Sequence, residues 1–88
     1  MAEYTTIPTK GFNKEIDKLS DTDKALVFNK VAMMEDDPFY PSLRTKKLRG
    51  TSYYESSVNM SIRIIWRFDG NKIILLIDVG HHDILKKY

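Results

Sequence analysis

SIRIIWRFDGNKIILLIDV, residues 61–79, decides how the chain folds. Ile62, Ile64, Trp66 and Phe68 alternate with Ser61, Arg63, Ile65 and Arg67, so a strand over 60–68 turns one apolar face to a core and shows two arginines on the other. Asp69-Gly70-Asn71 is a hairpin signal, and KIILLIDV (72–79) is apolar at consecutive positions, as a central, covered strand would be. TSYYESSVN (51–59) supplies a third β-prone stretch.

Outward from this sheet, the period changes. Phe12, Ile16 and Leu19 fall at i, i+4 and i+7, which predicts a helix from Thr9 with one buried face. Ser20, with Asp23 three residues on, is an N-cap for a second helix to about Met34 that would bury Ala25, Leu26, Val27, Phe28, Val31 and Met34 to varying degrees. Glu3–Ile7 is a short β-prone start closed by Pro8, and the two prolines of DPFYP (37–41) end the second helix. The expectation is a single α+β domain over residues 1–88, an N-terminal helical hairpin on one face of a small, mostly antiparallel, twisted sheet whose uncovered face carries the charge.

With 88 residues and no cysteine, the chain holds one modest core without disulfides or thiolate metal sites. The longest uninterrupted apolar run is Ile73–Ile77, far short of the roughly 20 residues of a membrane span, and MAEYTTIPTK lacks the features of a signal peptide. A soluble, cytoplasmic protein is expected. The net charge of +2 is unevenly spread: residues 1–40 carry five lysines against eight acids, and residues 41–88 carry nine bases against four acids. The second half suits a polyanion.

Three stretches put polar side chains where they can converge: TKKLRG (45–50) with Lys46, Lys47 and Arg49, SIRIIWR with Arg63, and VGHHDILKKY (79–88) with His81, His82, Asp83, Lys86, Lys87 and Tyr88. If TKKLRG is extended, Lys47 and Arg49 share a face. Adjacent histidines on a strand face opposite ways, so one of them serves a site and the other is structural. No HxxxH and no cysteine completes a tetrahedral metal set. Cations around a histidine and a tyrosine suit metal-independent RNA cleavage, in which the 2′-hydroxyl attacks the phosphate, an acid protonates the leaving 5′-oxygen, and fixed positive charge stabilises the transition state.

DPFYPSLRTKKLRG, an extended stretch, IRIIWRF, a turn, and IILLIDVGHH followed by a tyrosine resemble, in order and spacing, the RelE/ParE superfamily of toxins from bacterial toxin–antitoxin pairs; KGFNKEIDKL resembles the family's first helix. The resemblance covers about residues 9–88. It implies the RelE-like fold and, in its nuclease branch, cofactor-free cleavage of mRNA on the ribosome and inhibition of translation. It also implies a cognate antitoxin through which the complex binds operator DNA. Carried over by position, Lys47 and Arg49 stabilise charge, Arg63 binds the scissile phosphate, His82 is the general acid, and Tyr88 stacks on a base. Lys46, Arg67, Lys86 and Lys87 would add RNA contacts. Where the family often has basic residues, Glu55 stands in YYESSVN; it is either a second proton-transfer group or a solvent-facing strand residue. The same fold in the ParE-like branch implies a non-hydrolytic DNA gyrase poison, and a third reading is a degenerate toxin kept only as a binding partner.

Overall fold

The computed structural model describes residues 2–88. Five strands, β1 (Thr5–Pro8), β2 (Lys46–Lys47), β3 (Tyr54–Ser57), β4 (Ile62–Phe68) and β5 (Ile73–His81), form one sheet in the order β1-β5-β4-β3-β2. Two helices, α1 (Lys10–Ile16) and α2 (Asp21–Asp36), lie between β1 and β2, and 3-10 helices cover Pro41–Leu43 and His82–Lys87. The α+β class is as the sequence predicts. Among the described residues, no helix is long and apolar enough to cross a membrane.

The β4–β5 hairpin is the centre of the sheet. Gly70 takes the left-handed conformation its turn needs, at φ 82°. The expected alternation on β4 holds: Ile62, Ile64 and Trp66 enter one core with Phe12, Ile16, Val27, Met34, Leu43, Ile74, Leu76 and Val79, and Phe68 packs against it. Trp66 anchors that core, fully buried, stacked on Tyr54 with ring centroids 4.6 Å apart and donating its Nε1–H to Ser56 Oγ at 2.9 Å.

The helical hairpin expected at the N-terminus is not confirmed, because the first element is β1, paired in parallel with β5 from Thr5–Ile73 to Pro8–Leu76. Thr9 then ends the pairing and starts α1. Its hydroxyl donates to Leu76 O at 2.8 Å and accepts from Phe12 N at 3.3 Å, one side chain bridging strand and helix. Leu19 lies past the end of α1 in a turn and still packs against the core. Ser20 caps α2 as expected, accepting from Asp23 N at 3.1 Å. Of the apolar positions expected on α2, Val27 and Met34 are buried and Val31 half-buried, whereas Ala25 and Leu26 are exposed and Phe28 is 56% exposed. Positions 27, 31 and 34 follow the helical stripe, and 25, 26 and 28 fall off it.

Pairing shifts within the β4–β5 ladder, from Ile65–Asp78 to Trp66–Leu76, which leaves Ile77 as an extra residue on β5. α1 docks at this bulge. A Cβ on Gly11 would stand 3.1 Å from Ile77 O, a gap tight enough to favour glycine. The bulge also resets the phase of β5, so that Leu76 and Val79 both face the helices while Asp78 and Gly80 face away, opposite Ile65 and Arg63.

Candidate active site

The face of the sheet away from the helices is not uncovered, in contrast to the sequence expectation. After β5 the chain turns back over it as the 3-10 helix His82–Lys87, with Ile84 against Gly80: a Cβ on Gly80 would meet Ile84 Cγ2 at 2.9 Å. Ile65 is fully buried on this side. Two carboxylates, Glu55 and Asp78, each 5% exposed, flank Ile65 through the β3 and β4–β5 registers.

Asp78 is well compensated. Its Oδ1 accepts from Val79 N at 2.8 Å, and its Oδ2 accepts from the Tyr88 hydroxyl at 2.9 Å with Lys87 Nζ 3.6 Å away. The Tyr88 ring also meets Tyr53 edge-on, with centroids 5.2 Å apart. Tyr88 is therefore docked rather than frayed. Burial, and next the hydrogen bond to the Asp78 carboxylate, push its phenol well above its ordinary 10.0. Because the folded value lies above the unfolded one, the contribution of this contact to stability is complete below about pH 10 and is lost as pH rises through the raised value. Ultraviolet titrations of the wild type and Tyr88→Phe are expected to differ by one phenol that ionises above its ordinary 10.0; a difference centred on the ordinary value would refute the docking.

Glu55 is not the solvent-facing strand residue offered as one sequence reading. It is buried, and its Oε1 lies 3.8 Å from Arg63 Nε. Arg63 in turn donates through Nη1 to the carbonyls of Asn59 at 2.7 Å and Ile62 at 3.1 Å. Carboxylate and carbonyls together fix the guanidinium at the β3–β4 turn, where it lines a cavity of about 270 Å³.

The register divides the sequence-nominated residues into two groups. At one end of the sheet, Arg63 pairs with Ser57 and Gly80, and the His82 amide donates to Ser61 O at 2.7 Å, so Arg63 and His82 lie at neighbouring positions. His81, paired with Ile62, falls in the phase of the helix-side face; both histidines are exposed. Towards the other end lie Tyr53, Tyr88 and Arg67, which pairs with Leu75. The closing 3-10 helix, with a rise of ~2.0 Å per residue over His82–Lys87, carries the chain from His82 towards Tyr88.

Lys47 and Arg49 do not converge with Arg63. Lys47 pairs with Tyr54, which pairs with Trp66, and residues directly opposite share a face, so Lys47 belongs to the helix side. Lys46, opposite Glu55, is the one in phase with Ile65. Arg49 is exposed beyond the strand, ahead of Gly50 at φ 75°. Lys86 and Lys87 are exposed on the closing helix. A residue that sequence reasoning missed is Arg44, at φ 48°, a left-handed conformation that costs a non-glycine residue about 1–2 kcal/mol. Among the described residues, no three His, Asp or Glu side chains gather where they could hold a metal ion.

No family sequence model and no curated protein sequence matches the chain. Solved structures do. The toxin–antitoxin complex RelBE2 from Mycobacterium tuberculosis contains a chain similar at TM-score 0.77 and 21% identity, over 91% of this chain and 99% of that one. The chain has the fold of the RelE toxins. The intact RelBE complex of E. coli (TM-score 0.71, 23% identity, 89% and 95% covered) and its DinJ-YafQ complex (0.75, 12%, 94% and 97%) share this RelE-like fold. The similarity runs nearly end to end in each.

Proposed function

We propose that the chain is the toxin of a toxin–antitoxin pair and an mRNA endoribonuclease that acts on the ribosome and stops translation without a metal ion. The observation that supports this reading is the register at the end of β4, where Arg63 pairs with Gly80 and Ser61 O accepts the His82 amide, on a fold shared with proteins of toxin–antitoxin complexes. Arg63 holds the scissile phosphate and, being permanently charged, stabilises the negative charge that builds up when the 2′-oxygen attacks. His82 donates a proton to the departing 5′-oxygen, and the attacking 2′-hydroxyl gives up its own proton to solvent water. Glu55 orients Arg63 through their ion pair rather than taking a proton itself, since it is buried against the arginine.

Tyr88, held over the sheet by Asp78 with Lys87 beside the same carboxylate, offers an aromatic surface for a neighbouring base, and Lys46, Arg67, Lys86 and Lys87 add positive charge for RNA. Lys47 and Arg49 supply peripheral RNA contacts in this arrangement. A cognate antitoxin holds the toxin inactive, and through it the complex reaches operator DNA; the site of action is the cytoplasm.

The gyrase-poison reading needs no proton donor beside Arg63. The two readings separate on the order of events after expression: protein synthesis is expected to fall before any DNA-damage response. A DNA-damage response that comes first, with translation intact, would reject the nuclease.

A further inference from the structure

The cavity beside Arg63 is lined by Ser42, Arg44, Ser57, Val58, Asn59 and Arg63, with Met60 at its rim. None of its polar side chains is a carboxylate. Asn59 accepts the amides of Ser61 and Ile62 on Oδ1, both at 2.8 Å, which directs its amide NH₂ outward as a donor. Arg63 spends Nη1 on two carbonyls and turns Nε to Glu55, so its Nη2 edge is the one still available for a ligand. Two serine hydroxyls complete a lining of donors. Its volume of about 270 Å³ is just under the ~300–1,000 Å³ of pockets for drug-sized ligands, enough for one phosphate and part of a nucleotide.

Arg44 supplies the second cation, and its backbone carries a strain that a glycine would avoid. The residue closes the 3-10 helix Pro41–Leu43, its N–H donating to Pro41 O at 3.1 Å. Thr45 fixes the next position, its hydroxyl 2.6 Å from both Pro38 O and Ser56 Oγ. The left-handed turn thus places Arg44 in the lining of the cavity. No salt bridge neutralises Arg44 among the described residues. A strained residue whose side chain is aimed at a cavity points to function.

We propose that this cavity is a phosphate subsite in which Arg44 and Arg63 clamp one backbone phosphate of the RNA, Arg44 contributing affinity rather than chemistry. The proposal rests on Arg63 being a phosphate ligand, and its test does not need catalysis. Wild-type protein is titrated with a 2′-deoxy trinucleotide, which cannot be cleaved, and separately with inorganic phosphate, while the Arg44 and Arg63 Nε–H and Asn59 amide resonances are followed by NMR. The trinucleotide is expected to move all three, and more tightly than inorganic phosphate does. Arg44→Gly, which relaxes the turn, is expected to weaken trinucleotide binding about tenfold and to lower the salt slope by about 0.7, the share of one phosphate contact on a single strand. Arg44→Lys should restore most of that slope. In cleavage, Arg44→Gly should raise KM about tenfold with kcat little changed. Equal binding by wild type and Arg44→Gly, or phosphate bound as tightly as the trinucleotide, overturns the subsite. If Arg44→Gly weakens binding while wild type cleaves no RNA, the subsite stands and the nuclease reading falls.

Discussion

His82→Ala is expected to lower RNA cleavage by about 10²–10⁴-fold, the usual contribution of one positioned general acid, with no loss of fold. The fold survives because His82 is exposed and its bond to the sheet is made by its backbone amide, which donates to Ser61 O and is kept in the alanine variant. His81→Ala is the matched control. One residue earlier, it falls in the phase of Ile62 on the other face, and its removal should leave cleavage within a few-fold of wild type. Turnover of a ribosome-bound message by the two variants checks this; His81→Ala as the inactive one would reverse the assignment, and two fully active variants would remove histidine from the chemistry.

Arg63→Ala is expected to abolish activity and also to destabilise the protein by about 3–5 kcal/mol, a large part of the ~5–15 kcal/mol that holds a small domain together. The reason is Glu55. Arg63 at 3.8 Å is the cation beside this buried carboxylate, whereas Asp78 across the sheet keeps an amide, a phenol and a lysine. Loss of cleavage in the single variant would therefore confound chemistry with unfolding. The double variant Arg63→Ala/Glu55→Gln removes the stranded charge along with its partner, and denaturant unfolding should show most of the lost stability restored while cleavage stays absent. A double variant that regains activity would contradict the role given to Arg63. A single variant as stable as wild type would contradict the account of Glu55.

Much of this architecture was legible in residues 61–79, because the alternation of Ile62, Ile64, Trp66 and Phe68 and the Asp69-Gly70 turn are local signals. Ser20 as a cap was legible for the same reason. Contacts between distant segments were not. The pairing of β1 with β5 joins residues far apart in the chain, and no local pattern in TTIP names its partner. The bulge at Ile77 is hidden inside an apolar run, yet it decides that Asp78 and Gly80, rather than Val79, face away from the helices. The assumption of a bare, charged face failed because the last residues fold back over it, seated by Gly80 and tied by Tyr88 to Asp78.

For the site, alternation put Arg63 on the face of β4 away from the helices and adjacent histidines on opposite sides, but missed how the cations are distributed. Lys47 looked like a partner of Arg63 because alternation gives a relative face and not an absolute one; pairing to Tyr54 sets it on the helix side. Arg44 escaped because a positive φ in an arginine has no sequence signal. Glu55 could be read either as a base or as surface, and burial beside Arg63 supports a third role, orientation of the cation.

The most direct measurement is the chemistry of the RNA ends left on a translated message after the protein is expressed. Attack by the 2′-hydroxyl leaves a 2′,3′-cyclic phosphate on the upstream fragment and a 5′-hydroxyl on the downstream one, so ends of that kind, within translated frames and absent with His82→Ala, are the predicted result. Uncut messages, or cuts that leave a free 3′-hydroxyl, would contradict it.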